Sequence, residues 1–133
     1  MTSKVTYVGG LRTESEHLQS GTKVLSDAPT DNHGKGQAFS PTDMVANSLA
    51  TCVLTTMAIK ANSMGIDLDG SSAEVTKVMQ SDPRKIGKII VALQMKGADD
   101  QRSRTVLELV GHHCPVALSL HPDLIQEITF SWQ

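Results

Sequence analysis

Ser40-Pro41-Thr42-Asp43-Met44-Val45-Ala46-Asn47-Ser48-Leu49-Ala50-Thr51-Cys52-Val53-Leu54-Thr55-Thr56-Met57-Ala58-Ile59 is the stretch on which the fold turns. Ser40 is a helix-capping residue, Pro41 suits the first helical position, and Asp43, three residues after the cap, makes a variant of the capping box. The spacing predicts a helix from 41 to about 63, stopped by Asn62 and Gly65, with no Pro or Gly interrupting 43–64. Its apolar residues, among them Leu49, Cys52, Val53, Met57 and Ile59, lie all around the circumference, the mark of a buried central helix. A chain of 133 residues supports a single domain (1–133) with one core. Folding so short a chain buries only about two thirds of its surface, so a helix apolar on every side needs cover from a second copy, and a homodimer is expected.

Upstream, Lys4-Val5-Thr6-Tyr7-Val8, the Gly9-Gly10 turn, the segment 12–18 and the segment 22–25 read as short strands. Residues 27–39 hold Pro29, Asp31, Asn32, Gly34 and Gly36, a long loop by turn chemistry. Lys35 in that loop lacks the spacing and the following Ser/Thr of a phosphate-binding motif. Downstream, 71–80 and 85–95 alternate as strands about a Ser81-Asp82-Pro83-Arg84 turn, with Ile89, Val91, Leu93 and Met95 on one face. Residues 100–113 return to helical spacing, with Val106, Leu109, Val110 and His113 on one stripe and Leu107 beside it. Cys114-Pro115 breaks that helix, Pro115 opens a short one to about 120, and Ile128, Phe130 and Trp132 alternate in a closing strand.

Twelve basic and fourteen acidic residues, a formal charge of -2 without long runs of either sign, give no general affinity for nucleic acid or anionic membrane. One Trp, one Tyr and two Phe supply no platform for stacking bases. The N-terminus has no signal-peptide core and no stretch approaches the ~20 apolar residues of a membrane span, so a cytoplasmic protein is expected. There, two cysteines point to catalysis, redox sensing or plain burial instead of a permanent disulfide.

Cys52, in the middle of the central helix, reads from the sequence alone as a small buried hydrophobe. Cys114 is a buried cysteine at a helix break or, as it precedes Pro115, a thiol whose thiolate the N–H groups of the following helix would stabilise. Arg12, after Gly9-Gly10-Leu11, is a solvated strand residue or a guanidinium that lowers a thiol pKa and binds a peroxide oxygen. Asp43 is the capping-box acid or a carboxylate that fixes Arg12. His112, His113, Cys114 and His121 invite a zinc reading, but adjacent histidines on a regular helix cannot both face one ion. His33 invites a Cys/His acyl-transfer reading, with no orienting acid or nucleophile motif beside it.

Tyr7-Val8-Gly9-Gly10-Leu11-Arg12, the loop from Asp27-Ala28-Pro29 to Gly34-Lys35-Gly36, Phe39-Ser40-Pro41-Thr42-Asp43 leading to Ala50-Thr51-Cys52, and His113-Cys114-Pro115-Val116 together resemble the OsmC/Ohr superfamily over nearly the whole chain. The resemblance implies an α+β fold, with sheets wrapped around two long central helices in an intertwined homodimer. It implies a thiol-dependent peroxidase of organic hydroperoxides in oxidative or osmotic stress defence. Cys52 would be the peroxidatic thiol and Cys114 the resolving one, with Arg12 and Asp43 assisting. A dithiol reductant, possibly on a lipoyl protein, would reopen the disulfide, and neither metal nor nucleotide would be needed. Peroxidase members of the superfamily carry a Glu directly after the helix-opening Pro; here Thr42 stands there and Asp43 one step on, rotated by about 100°. A non-enzymatic protein that holds a small hydrophobic ligand beside Cys52 is the alternative from another class.

Overall fold

In a computed structural model that describes residues 1–133, the chain forms two compact units, 1–45 and 46–133. The first holds strands β1 (Ser3–Gly9), β2 (Arg12–His17) and β3 (Lys23–Asp27) in an antiparallel meander of that order. Gly9, Gly10 and Leu11 all take left-handed backbone angles (φ 85°, 62° and 63°), which turns the chain tightly and sets Gly9 opposite Arg12. The same meander pairs Arg12 with Asp27 across β2 and β3. β3 therefore runs on into residues whose turn chemistry suggested a loop.

The loop after β3 is folded on its own backbone. Gly34 N–H donates to the Pro29 carbonyl at 2.9 Å and Gly36 N–H to the Ala28 carbonyl at 3.2 Å, around a single 3-10 turn at Thr30–Asn32. A Cβ at Gly34 would lie 1.7 Å from the Ala28 carbonyl oxygen, so only glycine permits this approach. At the end of the unit the capping box closes in both directions. Ser40 N–H donates to Asp43 Oδ2 at 3.0 Å, and Asp43 N–H donates to Ser40 Oγ at 3.1 Å.

Helix α1 (Pro41–Ser63) starts at that box and runs to the expected end. In the second unit, β4 (Ser72–Gln80) pairs antiparallel with β5 (Lys85–Met95), and β6 (Ile125–Trp132) pairs parallel with β5 on its other side. A parallel neighbour needs a crossover. Helices α2 (Gln101–His112) and α3 (Pro115–Ser119) supply it. Central β5 buries Ile89, Val91, Leu93 and Met95 completely or nearly so, as its alternation predicts. They join Leu49, Val53 and Met57 of α1 and Leu107 of α2 in one core; each such side chain contributes roughly 1.5–3 kcal/mol by leaving water.

One packing expectation is corrected. The buried side of α2 is Leu107 and Gly111, and Leu109 is 61 % exposed instead of sharing the core stripe. The cause is Gly111, whose missing Cβ would lie 3.0 Å from Met57 Sδ and 3.2 Å from Val53 Cγ1, so the helix rolls its bare backbone onto α1. Within the chain, α1 buries only the stripe Ala46, Leu49, Ala50, Val53, Met57 and Ala61, and leaves Val45 and Ile59 open. By length and composition α1 is also apolar enough to cross a membrane, contrary to the expectation that no stretch is; its buried stripe here belongs to a protein core.

Candidate active site

The structure brings together two thiols that are 62 positions apart in the chain. Cys52, half-buried on α1, lies one residue from the core-facing Val53 and one turn before Thr56, whose hydroxyl is 3.8 Å from its sulfur. Cys114 is fully buried and caps α3: its backbone is extended (φ -65°, ψ 152°) and its sulfur accepts the Ala117 N–H at 3.4 Å. Pro115 at the first helical position makes this cap possible, since it has no N–H of its own to satisfy. The Val116 N–H and the Cys114 side chain both lie close enough to act on the Cys52 thiol, and both thiols are free.

The two thiols are electrostatically unequal. Burial pushes the Cys52 thiol up, but the Val116 N–H, the Cys114 thiol and the Thr56 hydroxyl stabilise its thiolate more, and the result is a pKa below that of an ordinary cysteine. Burial raises Cys114, the Ala117 N–H offsets part of this, and donating to and sitting beside the Cys52 sulfur raises it further. The pair is thus built with Cys52 as the more acidic thiol and the buried Cys114 as the less acidic one. The α3 N-terminus acts on Cys114 as expected, its Ala117 and Val116 N–H groups lowering that thiol's pKa, but burial and the neighbouring Cys52 outweigh them, and the Val116 N–H also acts on Cys52.

Arg12 is 29 % exposed and its Nη2 donates to Asp27 Oδ2 at 3.3 Å and to Gln37 Oε1. The Gln37 backbone N–H donates to the same Asp27 oxygen at 3.1 Å. That bond, joined by the Arg12 charge against the opposing effect of burial, holds the Asp27 carboxyl below the usual carboxylate range. Asp43 takes its place in the capping box. His33 closes the 3-10 turn in a left-handed conformation. His112 stands edge-on to Phe130 with ring centroids 5.4 Å apart, His113 Nδ1 meets the Leu109 carbonyl at 2.9 Å, and His121 Nδ1 accepts from Asp123 N–H at 3.0 Å. No group of three or more His, Cys, Asp or Glu converges as a metal would require.

Thr56 and the Val116 N–H beside the thiols, and separately the Asp27–Gln37 pair beside Arg12, are the features that sequence reasoning missed. Thr56 was within reach of the helical i, i+4 rule applied to Cys52. Asp27 was hidden by the turn residues that follow it. A groove of about 340 Å³ lies farther along α1, lined by Leu54, Thr55, Ala58 and Asn62 and by Leu68 and Asp69. Cys52 is not among its lining residues.

Comparison with known proteins agrees with this architecture. The family described as OsmC-like protein matches residues 34–128. A solved structure from Psychrobacter arcticus 273-4, provisionally named an osmotic stress induced and detoxification response protein, is 48 % identical over 98 % of this chain and 96 % of its own, with a TM-score of 0.94. The organic hydroperoxide resistance protein OsmC of Legionella pneumophila is similar at 22 % identity over 98 % and 97 % of the two chains, with a TM-score of 0.72. The organic hydroperoxide resistance protein OhrB of Bacillus subtilis is similar at 20 % identity over 98 % of each chain, with a TM-score of 0.65. At those identities the last two speak for the fold alone. No curated protein matches the chain.

Proposed function

The chain belongs to the OsmC-like protein family, and on that premise we propose that it is a thiol-dependent peroxidase that reduces organic hydroperoxides through Cys52 and Cys114. The observation that carries this reading is the unequal thiol pair: a half-buried Cys52 whose pKa is lowered beside a buried Cys114 whose pKa is raised. A binding protein has no need of that inequality, whereas a peroxidatic nucleophile requires a thiolate and a resolving thiol within reach.

In the proposed cycle the Cys52 thiolate attacks the outer oxygen of the hydroperoxide. The O–O bond breaks, the alkoxide takes a proton and leaves as the alcohol, and Cys52 becomes a sulfenic acid. The Cys114 sulfur then displaces the sulfenic hydroxyl, which leaves as water with the Cys114 proton, and a disulfide forms. A two-electron dithiol reductant, such as a lipoyl protein, returns both thiols and becomes a disulfide itself. Arg12 is the proposed cation that binds the peroxide oxygen, and Asp43 assists by fixing the start of the helix that carries Cys52.

The proposed working form is a cytoplasmic homodimer. Supporting it are the apolar residues left open in the single chain, Val5, Tyr7 and Val8 on β1 and Ile59 on α1. Peroxide consumption by two variants tests the cycle. Cys52→Ser is expected to consume no organic hydroperoxide beyond background, and Cys114→Ser to consume one equivalent and stop at sulfenic acid, detected by dimedone labelling. Wild-type behaviour of both variants would overturn the proposal.

A further inference from the structure

Arg12 is held from one side only. Both of its contacts, to Asp27 Oδ2 and to Gln37 Oε1, run through Nη2, while Gln37 also clamps that carboxylate oxygen with its backbone N–H at 3.1 Å. Two acceptors, one from β3 and one from the following loop, thus meet at one guanidinium nitrogen, and Nε and Nη1 are left out of the cluster. The carboxylate is 1 % exposed, and its second oxygen, Oδ1, is buried with no hydrogen-bond partner. A buried acceptor left unmatched is rare and calls for a reason. A guanidinium fork would satisfy both oxygens in a bidentate pair, so the geometry forgoes the stronger pairing.

We propose that Asp27, clamped by Gln37, is the positioning residue for Arg12, anchoring the guanidinium through one nitrogen so that the remaining N–H groups face an incoming hydroperoxide oxygen. What Arg12 acts on rests on the peroxidase reading; what holds Arg12 does not. The Arg12–Asp27 register, set by the meander, places the anchor on rigid strands, where a side chain is held more accurately than on a loop. Gln37 adds the second contact because the loop after β3 doubles back on itself.

The test uses the full-length protein with cumene hydroperoxide as the probe, together with the ¹⁵N side-chain resonance of Arg12. Asp27→Asn is expected to lower the second-order rate constant for peroxide consumption by about 10- to 100-fold, the scale of a misplacement near 1 Å. It is also expected to release the Arg12 Nη2 resonance into fast solvent exchange. Asp27→Glu, which keeps the charge and so guards against simple loss of folding, should recover part of the rate. In an Arg12→Gln background Asp27→Asn should cost nothing further, because both act through one group. A wild-type rate in Asp27→Asn, or independent multiplication of the two losses, would overturn the proposal. Should the wild type consume no peroxide, the peroxidase reading fails alone; the resonance then decides the anchoring, which stands if Asp27→Asn frees Arg12 and falls if it does not.

Discussion

Cys52 and Cys114 are of one chemical type, and their surroundings make them different reagents. The Cys52 thiolate draws its stabilisation from Val116, Cys114 and Thr56, so its pKa lies below that of an ordinary cysteine. Peroxide consumption in a single turnover should therefore rise with pH about a midpoint lower than that of an ordinary cysteine. Thr56→Val and Cys114→Ala each remove a group that lowers the Cys52 pKa, so both should shift the profile to higher pH, measured by ultraviolet thiolate absorbance. Cys114, buried and shifted the other way, should resist iodoacetamide until the protein unfolds, while Cys52 is alkylated first; peptide mass spectrometry reads the order. Little of this asymmetry was legible in the sequence. Cys114 before Pro115 announced a helix cap, but that the same helix N-terminus also acts on Cys52 depends on where α1 passes, and no local pattern encodes that.

At the scale of elements, the helix from Pro41 and the β4–β5 hairpin could be read closely, since caps, Pro and strict alternation are local signals. The packing face of α2 could not. Counting apolar side chains favours Leu109, whereas contact with α1 is decided by the absence of a side chain at Gly111. Gly111→Ala gives up to ~1 kcal/mol of helix propensity but forces a methyl against Met57 and Val53, an overpacking that costs about 1–3 kcal/mol. A net loss of stability, seen as a lower urea midpoint, is expected. Asp100 caps α2 by accepting the Ser103 N–H at 2.8 Å. Asp100→Ala should lower stability by about 1 kcal/mol in the same measurement.

At the scale of the whole molecule, the all-round apolar character of α1 was legible, and its meaning is divided between one buried stripe and an open side. Ile59, 68 % exposed, is the large apolar residue on that open side. Ile59→Asp should shift the protein from dimer towards monomer in sedimentation velocity without disturbing the core, and an unchanged sedimentation coefficient would count against a dimer built on α1. The partner of β6 was not legible, because alternation in a strand does not name its neighbour. Its parallel pairing with β5 has a consequence for the order of folding. β5 gains its second neighbour only after the chain through Trp132 has emerged, and the crossover that closes on that event is the one that carries Cys114. Long-range closure of this kind is slow compared with helix and hairpin formation. During synthesis the two thiols therefore meet last, and a nascent chain halted before Ile125 should keep both cysteines open to alkylation.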